Sequence, residues 1–292
     1  MSATAFSMAV GVVFPSTGQV LQPYVLVWLA GLLFFNLITL NIPDIVSTFR
    51  RPKNVAVLSI VKLIIVPLTM YGISYLVYPS LSLAILLLSG ISTGLGAPFV
   101  VNLVGGNLSL TVGTIIITSF AVPFILPTLV YIFFSAEFSI PILQMIVLLS
   151  AALFIPLTLG WLTKKYSPSI AKAVKKASPL ASIMFVVLIN LGIFSEFAHY
   201  FVADSLFVIQ TTSLDFALFG AYGLAGFLAI RINNIKGKQE RISAFIAMTY
   251  INNILIAVFA QQFFGKEAGA LAAFYNIPYY FGIFLLKKII KC

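Results

Sequence analysis

Long stretches without a charged residue constrain this chain more than any other feature of its sequence. No charge occurs between Met1 and Pro43, and a second uncharged stretch runs from Leu63 to Ala136. A helix needs roughly 20 predominantly apolar residues to cross a bilayer, so the second stretch alone has room for about three membrane spans. Further uncharged stretches separate the remaining charges: 138–163, 177–195, 216–230, 242–265 and 268–286.

Composition excludes most other classes of protein. The chain has 61% hydrophobic and 8% charged residues, whereas soluble domains have about 45–50% and about 25%. This excludes a soluble enzyme and a disordered chain, and the basic residues are too segregated to form a nucleic-acid-binding surface. The single cysteine is Cys292 and the single histidine is His199, so the sequence indicates no disulfide, metal centre or cofactor. We therefore expect an all-α polytopic membrane protein.

Proline, glycine and asparagine residues divide the apolar stretches into ten helices. The first is too short to cross a membrane, because about 11 residues at a rise of about 1.5 Å cover only half of the hydrocarbon core. The sequence thus predicts ten transmembrane helices, or nine plus a short first helix. No Lys or Arg precedes the first helix, which argues against a cleavable signal peptide. The predicted helices are 3–14, 20–41, 54–77, 81–104, 109–134, 139–163, 179–199, 205–231, 242–264 and 268–290.

Basic residues predict the orientation of these helices. Four clusters (Arg50–Lys53, Lys164–Lys176, Arg231–Arg241 and Lys287–Lys291) hold 15 of the 17 Lys and Arg residues. Alternating helices place all four clusters on the same side, and such a bias marks the cytoplasmic side. We expect a multi-pass protein of the plasma or inner membrane, with its C-terminus in the cytoplasm. Each cluster is interpreted as a determinant of topology in preference to a binding site for a lipid or a partner.

Two of the predicted helices contain helix-breaking residues near their centres. The fourth contains Ser92–Pro98, with two glycines and a proline that weaken the helical backbone. The ninth contains Thr249–Asn253, with two adjacent asparagines that can bond freed backbone groups. Such residues could merely kink a membrane helix. However, each break lies in the fourth helix of a set of five, and an odd number of helices reverses the direction of the chain. The sequence therefore predicts two inverted five-helix repeats, 1–134 and 135–292, with breaks at matching positions. A matched pair of interrupted helices indicates the central binding site of a secondary transporter.

The interrupted helices supply the predicted substrate site. Half-helix N-termini carry partial positive charge and favour an anion. We expect Thr93, Gly94, Asn252 and Asn253 to line this site. Asn276 is a further amide at membrane level that we assign to it, although such an amide often only makes an interhelical hydrogen bond.

Two ionisable residues, Lys62 and Asp215, lie inside predicted spans. Intramembrane charges usually face the protein interior and mark a substrate or ion path, so we assign both residues to ion coupling. Lys62 lies eight residues into its helix, and its amine could instead extend to the cytoplasmic surface. The two residues occupy equivalent helices of the two repeats, but their depths differ by roughly 12 Å if the helices are straight. The sequence leaves open whether they pair.

From about Pro23 to Gly282 the sequence resembles the bile acid:sodium symporter family of secondary transporters. The resemblance implies a fold shared with sodium/proton antiporters. In that fold, helices 3, 4, 5, 8, 9 and 10 form a core that contains the crossed, broken helices 4 and 9, and helices 1, 2, 6 and 7 form a panel. The residues that carry the resemblance are Asp44–Lys53 with Pro67, Ser92–Asn107 ending in Gly-Gly-Asn, Gln239–Ala244, and Tyr275–Asn276.

The chain departs from this family at the positions that bind sodium. An ungapped alignment places Ala97-Pro98 and Phe245 where the family has oxygen-bearing side chains, and Lys62 where it has a glutamine. Thr111 matches a hydroxyl-bearing position of the family's fifth helix, and Thr249 replaces a glutamine. Sodium coupling of the usual kind is therefore not expected. A lysine that exchanges its proton near neutral pH would couple transport to protons, and a permanently charged one would attract an anionic substrate.

Together these features predict a secondary transporter of a small organic anion that works by alternating access, driven by protons or running as a uniporter. A sodium-coupled symporter with a rebuilt ion site is the main alternative. An intramembrane enzyme would need a dyad such as Ser59 and Lys62, which nothing else in the sequence supports, so we expect no catalytic residues. A channel would show polar stripes along whole helices, and the sequence has no Walker A motif of a primary pump.

Overall fold

The computed structural model describes residues 2–39, 52–136 and 139–290. Within these ranges all regular elements are helices, and the single β-type contact is an isolated bridge between Thr93 and Ile251. The all-α fold class is therefore confirmed for this part of the chain. Several residues used above, namely Asp44–Arg51, Lys291 and Cys292, lie outside the described ranges.

The helices are numbered here in chain order. A π-helical turn at Val61–Ile65 joins α4 to α5, and short 3₁₀ turns occur at Gln22–Tyr24 and Pro79–Leu81. The α-helices are α1 Ser2–Val13, α2 Pro15–Gln19, α3 Val25–Thr39, α4 Pro52–Ile60, α5 Val66–Val77, α6 Ser82–Gly90, α7 Ala97–Val104, α8 Leu108–Phe134, α9 Ile142–Tyr166, α10 Pro168–Glu196, α11 Ala198–Ala203, α12 Ser205–Ile232, α13 Lys238–Thr249, α14 Asn253–Phe264, α15 Lys266–Phe274 and α16 Asn276–Ile290.

Seven helical segments of the described chain are long and apolar enough to cross a membrane. Three predicted spans are missing from this set, namely the short first helix and the two that contain breaks. Their apolar pieces are Ala3–Val13, Pro79–Gly90 and Asn253–Phe264, each shorter than a span. The difference between seven and ten thus arises at the helices whose sequence predicts an interruption or a short length.

Helix α10 begins earlier than the sequence predicted. It starts at Pro168 instead of residue 179 and includes Lys172, Lys175 and Lys176, which lie outside the predicted helices. Proline is favoured in the first turn of a helix because its missing N–H has no helical partner there. Alanine and lysine, both good helix formers, follow it. The connection to α9 is consequently reduced to Ser167.

One compact unit comprises Met1–Asn41 and Leu148–Thr211. Its central helix is α10, which packs along α1, α2 and α3. A Cβ atom at Gly18 would overlap the Leu191 carbonyl and the Ser195 side chain of α10, so only glycine permits this approach. Close contact through small residues is a common way for membrane helices to associate.

Two membrane-level asparagines make interhelical hydrogen bonds in this unit. Ser182 donates to Oδ1 of Asn36 over 3.1 Å, and Nδ2 of Asn190 donates to Ser7 over 3.5 Å. Each bond joins α10 to another helix of the unit. These amides therefore stabilise helix packing.

The second compact unit comprises Ile42–Val147 and Thr212–Cys292. Helix α8 contacts α4, α6, α7 and α13 within it. The turn before α8 is well defined: Gly105 adopts φ 74°, Gly106 N–H donates to the Val101 carbonyl over 3.0 Å, and the Asn107 side chain caps α8 by accepting from Leu110 N–H over 3.1 Å. This turn fixes the direction in which α7 leads into α8.

Candidate functional site

The two interrupted helices meet at their breaks. Helices α6 and α7 are separated at residues 91–96, and α13 and α14 at residues 250–252. Gly94 N–H donates to the Tyr250 carbonyl over 2.8 Å, and Asn252 N–H donates to the Ser92 carbonyl over 3.0 Å. Backbone groups that lose their helical partners must be satisfied inside a membrane protein. Here each break supplies partners for the other.

Thr93 and Gly94 hold this crossing together. Thr93 donates its hydroxyl to the Ala247 carbonyl over 2.7 Å, and its N–H bonds the hydroxyl of Thr118 on α8 over 3.2 Å. A Cβ atom at Gly94 would lie 2.5 Å from the Ile251 carbonyl oxygen. Gly94 is thus required by a close backbone approach, and Thr93 is almost completely buried.

Asn252 and Asn253 lie at the N-terminal end of α14. They are 8% and 4% exposed. Asn252 occupies the N-cap position, yet its side chain makes no capping hydrogen bond, and Nδ2 of Asn253 has no hydrogen-bond partner among the described residues. The first N–H groups of a helix also lack helical partners and carry partial positive charge. This end of α14 therefore concentrates unused hydrogen-bond donors in the interior.

Lys62 lies in the π-helical turn that precedes Pro67. Proline lacks an N–H and its ring crowds the carbonyl four residues earlier, and the wider turn at Val61–Ile65 lies immediately before it. Such turns recur at functional sites. The Lys62 side chain is fully buried, and its Nζ donates to the Ser89 carbonyl over 2.9 Å. It remains in the interior and does not extend to the surface.

The helix break explains why the Ser89 carbonyl is available to Lys62. In a continuous helix Thr93 N–H would bond this carbonyl, but here it donates to Thr118 instead. The Lys62 ammonium consequently caps the last turn of α6, the negative end of a half-helix dipole. It also lies 5.2 Å from the centre of the Tyr222 ring, a favourable cation–π distance.

The break in the other helix frees an equivalent carbonyl. Thr249, four residues before Asn253, ends α13, and its carbonyl accepts a hydrogen bond of 2.8 Å from the Tyr275 hydroxyl. One half-helix C-terminus is therefore capped by a cation and the other by a neutral phenol. Neither Tyr222 nor Tyr275 was predicted as a site residue, because an aromatic residue within a span gives no signal that separates it from ordinary packing; Tyr275 entered only through the family resemblance.

Asp215 is completely buried in α12, and neither carboxylate oxygen has a hydrogen-bond partner among the described residues. It therefore makes no hydrogen bond to Lys62, whose ammonium bonds Ser89 instead. The carboxylate lies within electrostatic range of Tyr222 and Tyr275. A buried polar group without a partner is rare in folded proteins and calls for an explanation.

The remaining predicted site residues are satisfied locally. Thr111 donates to the Asn107 carbonyl over 3.3 Å, and Thr249 to the Phe245 carbonyl over 2.8 Å. Nδ2 of Asn276 donates to the Ala273 carbonyl over 3.0 Å. All three are buried, and within the described chain none makes a hydrogen bond to Lys62 or Asp215. The structure thus brings together the two breaks and Lys62, but not the whole predicted set through direct contacts.

Four of the positions where the resemblance implied sodium ligands carry no side-chain oxygen, namely Ala97, Pro98, Phe245 and Lys62. Ala97 and Pro98 form the first turn of α7, and Phe245 packs its ring against Gly223 and 5.9 Å from the ring centre of Phe219. An aromatic side chain that fills this space cannot ligate a cation. No group of three or more His, Cys, Asp or Glu residues in the described ranges could hold a metal ion.

The sequence model of the Sodium Bile acid symporter family matches residues 26–204, more than half of the chain. The chain belongs to this family. It is also 22% identical over 270 residues to the uncharacterized sodium-dependent transporter YocS of Bacillus subtilis (strain 168), covering 91% of this chain and 83% of that protein. Membership of the Sodium Bile acid symporter family identifies the chain as a multi-pass membrane transporter and not an enzyme.

Proposed function

We propose that this chain is a secondary active transporter that carries a small organic anion by alternating access. The observation that carries the proposal is the N-terminal end of α14, where buried Asn252 makes no capping hydrogen bond and Nδ2 of buried Asn253 has no partner among the described residues. Amide donors combined with the positive end of a helix suit a carboxylate or sulfonate group. Thr93 and Gly94 bound the same crossing, and we assign Asn276 to the site as a further amide.

Lys62 takes the place of a coupling cation in this proposal. Cation sites of transporters with broken helices are formed where half-helix C-termini and unwound carbonyls converge. The Lys62 ammonium occupies such a position, because it caps the last turn of α6 through the Ser89 carbonyl. A tethered positive charge would balance the charge of the substrate without a bound metal ion.

Asp215 supplies the exchangeable charge. An ionised carboxylate that is fully buried without a hydrogen-bond partner costs several kcal/mol, and a bound proton removes most of this cost. A proton loaded on one side and released on the other would couple transport to the proton gradient. Thr111 and Thr249 are the buried hydroxyl groups that we assign to the same ion path.

Sodium coupling is the second candidate. The names of the matched family and of YocS both refer to sodium, and Asp215 offers two free oxygens. Sodium needs several oxygen atoms in place of its hydration shell. A rebuilt site would have to recruit Thr111 or Thr249 around Asp215, because Ala97, Pro98 and Phe245 provide none.

The ten-helix topology is part of the proposal. Residues 1–134 and 135–292 form the two inverted repeats. In the numbering of the ten predicted transmembrane helices, helices 3, 4, 5, 8, 9 and 10 form the core and helices 1, 2, 6 and 7 form the panel. The protein lies in the cell membrane with the C-terminus and the positions Lys172 and Lys236 in the cytoplasm, and Lys266 outside. Labelling of single cysteines after replacement of Cys292 tests this orientation, and labelling of position 236 from outside intact cells would reverse it.

A thermal-shift screen followed by uptake tests the function. Purified protein is heated with taurocholate, pyruvate and p-aminobenzoate as probes of steroid, keto-acid and aromatic anions, with sodium or with potassium. The anion that stabilises the protein is then offered to proteoliposomes. We expect saturable uptake that Asn252→Leu abolishes and the exposed Asn102→Leu leaves intact. Binding without uptake by the parent protein would contradict a transporter.

A further inference from the structure

A second candidate anion site lies where α12 ends and α13 begins, at residues 227–241. A cavity of about 420 Å³ there is lined by Arg231, Lys236 and Arg241 together with Phe227, Ile230, Asn234 and Ile235. Three cations face one cavity, and no carboxylate is among its lining residues. Its volume is near the lower end for small-molecule sites, about 300–1,000 Å³, which suits a headgroup rather than a whole lipid.

The backbone that presents these cations is fixed by a helix C-cap. Asn234 adopts φ 54°, and two hydrogen bonds close the end of α12: Ile235 N–H donates to the Ile230 carbonyl over 3.0 Å, and Asn234 N–H to the Arg231 carbonyl over 3.2 Å. This is the Schellman pattern. The two positions that commonly make an apolar contact in this motif are occupied by Ile230 and Ile235, both of which are buried. Arg231 and Lys236 therefore flank a turn whose backbone is fixed by two hydrogen bonds.

One acidic residue, Glu240, lies close in sequence to the three cations but is not among the residues that line the cavity. Glu240, in the first turn of α13, is buried, and its carboxylate accepts a hydrogen bond from Nδ2 of Asn107 over 3.4 Å. The next residue, Arg241, is exposed and lines the cavity. The lining of the cavity thus contains three cations and no carboxylate.

We propose that this cavity binds the phosphate group of an anionic phospholipid. Two guanidinium groups and one ammonium match the oxygens of a phosphate, with arginine able to form paired hydrogen bonds. The lipid is favoured as the source because the wall of the cavity is the last turn of a membrane-spanning helix, where Phe227 is 39% exposed and can lie beside an acyl chain. Basic pockets at the ends of membrane helices are a recognised type of lipid headgroup site.

Native mass spectrometry of the purified full-length protein tests the proposal with phosphatidylglycerol and phosphatidylcholine as probes. We expect the parent protein to retain phosphatidylglycerol at least about tenfold better, corresponding to about 1.4 kcal/mol. The variant R231Q/K236Q/R241Q should lose this preference. A control, K53Q/K172Q/K176Q, removes the same number of exposed charges from other basic segments and should keep it.

Three results would overturn the proposal. Equal loss of preference in the control would show general attraction to the basic surface, and unchanged preference in R231Q/K236Q/R241Q would place the lipid elsewhere. Full competition by glycerol 3-phosphate or inorganic phosphate at equal concentration would identify a soluble anion as the ligand. If the triple variant does not fold, Arg241→Gln and the matched Lys172→Gln are compared in the same way. The site is independent of the proposed transport cycle, so its failure leaves that cycle untouched.

Discussion

Replacement of Lys62 gives the most informative perturbation of the proposed cycle. The ammonium donates a hydrogen bond of 2.9 Å to the Ser89 carbonyl and lies 5.2 Å from the Tyr222 ring centre. A hydrogen bond from a charged group contributes about 1.5–3 kcal/mol, and a desolvated cation–π contact about 2 kcal/mol. Against this, burial of an ammonium costs several kcal/mol. The two sides nearly cancel, so Lys62→Gln should change thermal stability little.

Transport should respond very differently from stability. Lys62→Gln keeps a neutral donor for Ser89 but removes the charge, so we expect uptake of the anion to fall about tenfold or more, equivalent to about 1.4 kcal/mol on the limiting step. It should not create sodium dependence, because Ala97, Pro98 and Phe245 still provide no side-chain oxygens. Lys62→Arg keeps a charge that cannot be lost, so it should retain transport if Lys62 supplies a fixed charge; its failure would show that the lysine itself must release a proton.

Uptake into proteoliposomes, measured across a range of pH, distinguishes these cases. Lys53→Gln, an exposed lysine at the start of the same helix, is the matched control and should behave like the parent. If Lys62→Gln and Lys62→Arg both transport like the parent at every pH, Lys62 is a structural residue and the coupling role assigned to it is wrong.

Three further perturbations address the crossing and the ion path. Asn252→Leu and Asn253→Leu should each abolish anion-induced thermal stabilisation while the protein remains folded in detergent; unchanged binding in both would remove them from the site. Gly94→Ala should lower the melting temperature, since a Cβ 2.5 Å from the Ile251 oxygen costs about 1–3 kcal/mol. The control Gly72→Ala, with open space around its Cβ, should be neutral or stabilising. Equal effects of the two changes on the melting temperature would mean that the crossing tolerates a side chain. Asp215→Asn should flatten the pH dependence of uptake without loss of stability, because it removes a buried charge that has no hydrogen-bond partner among the described residues. The exposed Asp204, which precedes α12, gives the control Asp204→Asn. A pH profile that keeps its parental shape would exclude Asp215 from coupling.

The sequence predicted the breaks well because their causes are local. Glycine and proline in Ser92–Pro98 and the adjacent asparagines in Thr249–Asn253 weaken the helical backbone wherever they occur. The Asn107 cap at the start of α8 has the same local character. Residues of this kind act on their own turn, and a single sequence therefore contains the information.

Features that depend on distant partners could not be predicted in this way. The Ser89 carbonyl becomes available to Lys62 only because Thr93 N–H finds Thr118 on another helix. Tyr222 and Tyr275 acquire their importance from the same three-dimensional arrangement. The lysines before residue 179 were assigned to a loop because charge suggested the end of a span, whereas helix α10 continues through them.

Uptake with sodium replaced by potassium on both sides of the membrane tests the central claim most directly. The anion selected by the thermal-shift screen is supplied to proteoliposomes that contain the parent protein, with and without an imposed proton gradient. A transporter in which Lys62 replaces the coupling cation should work equally well in both salts, and the proton gradient should change its rate. A strict requirement for sodium, together with no response to the proton gradient, would contradict this account.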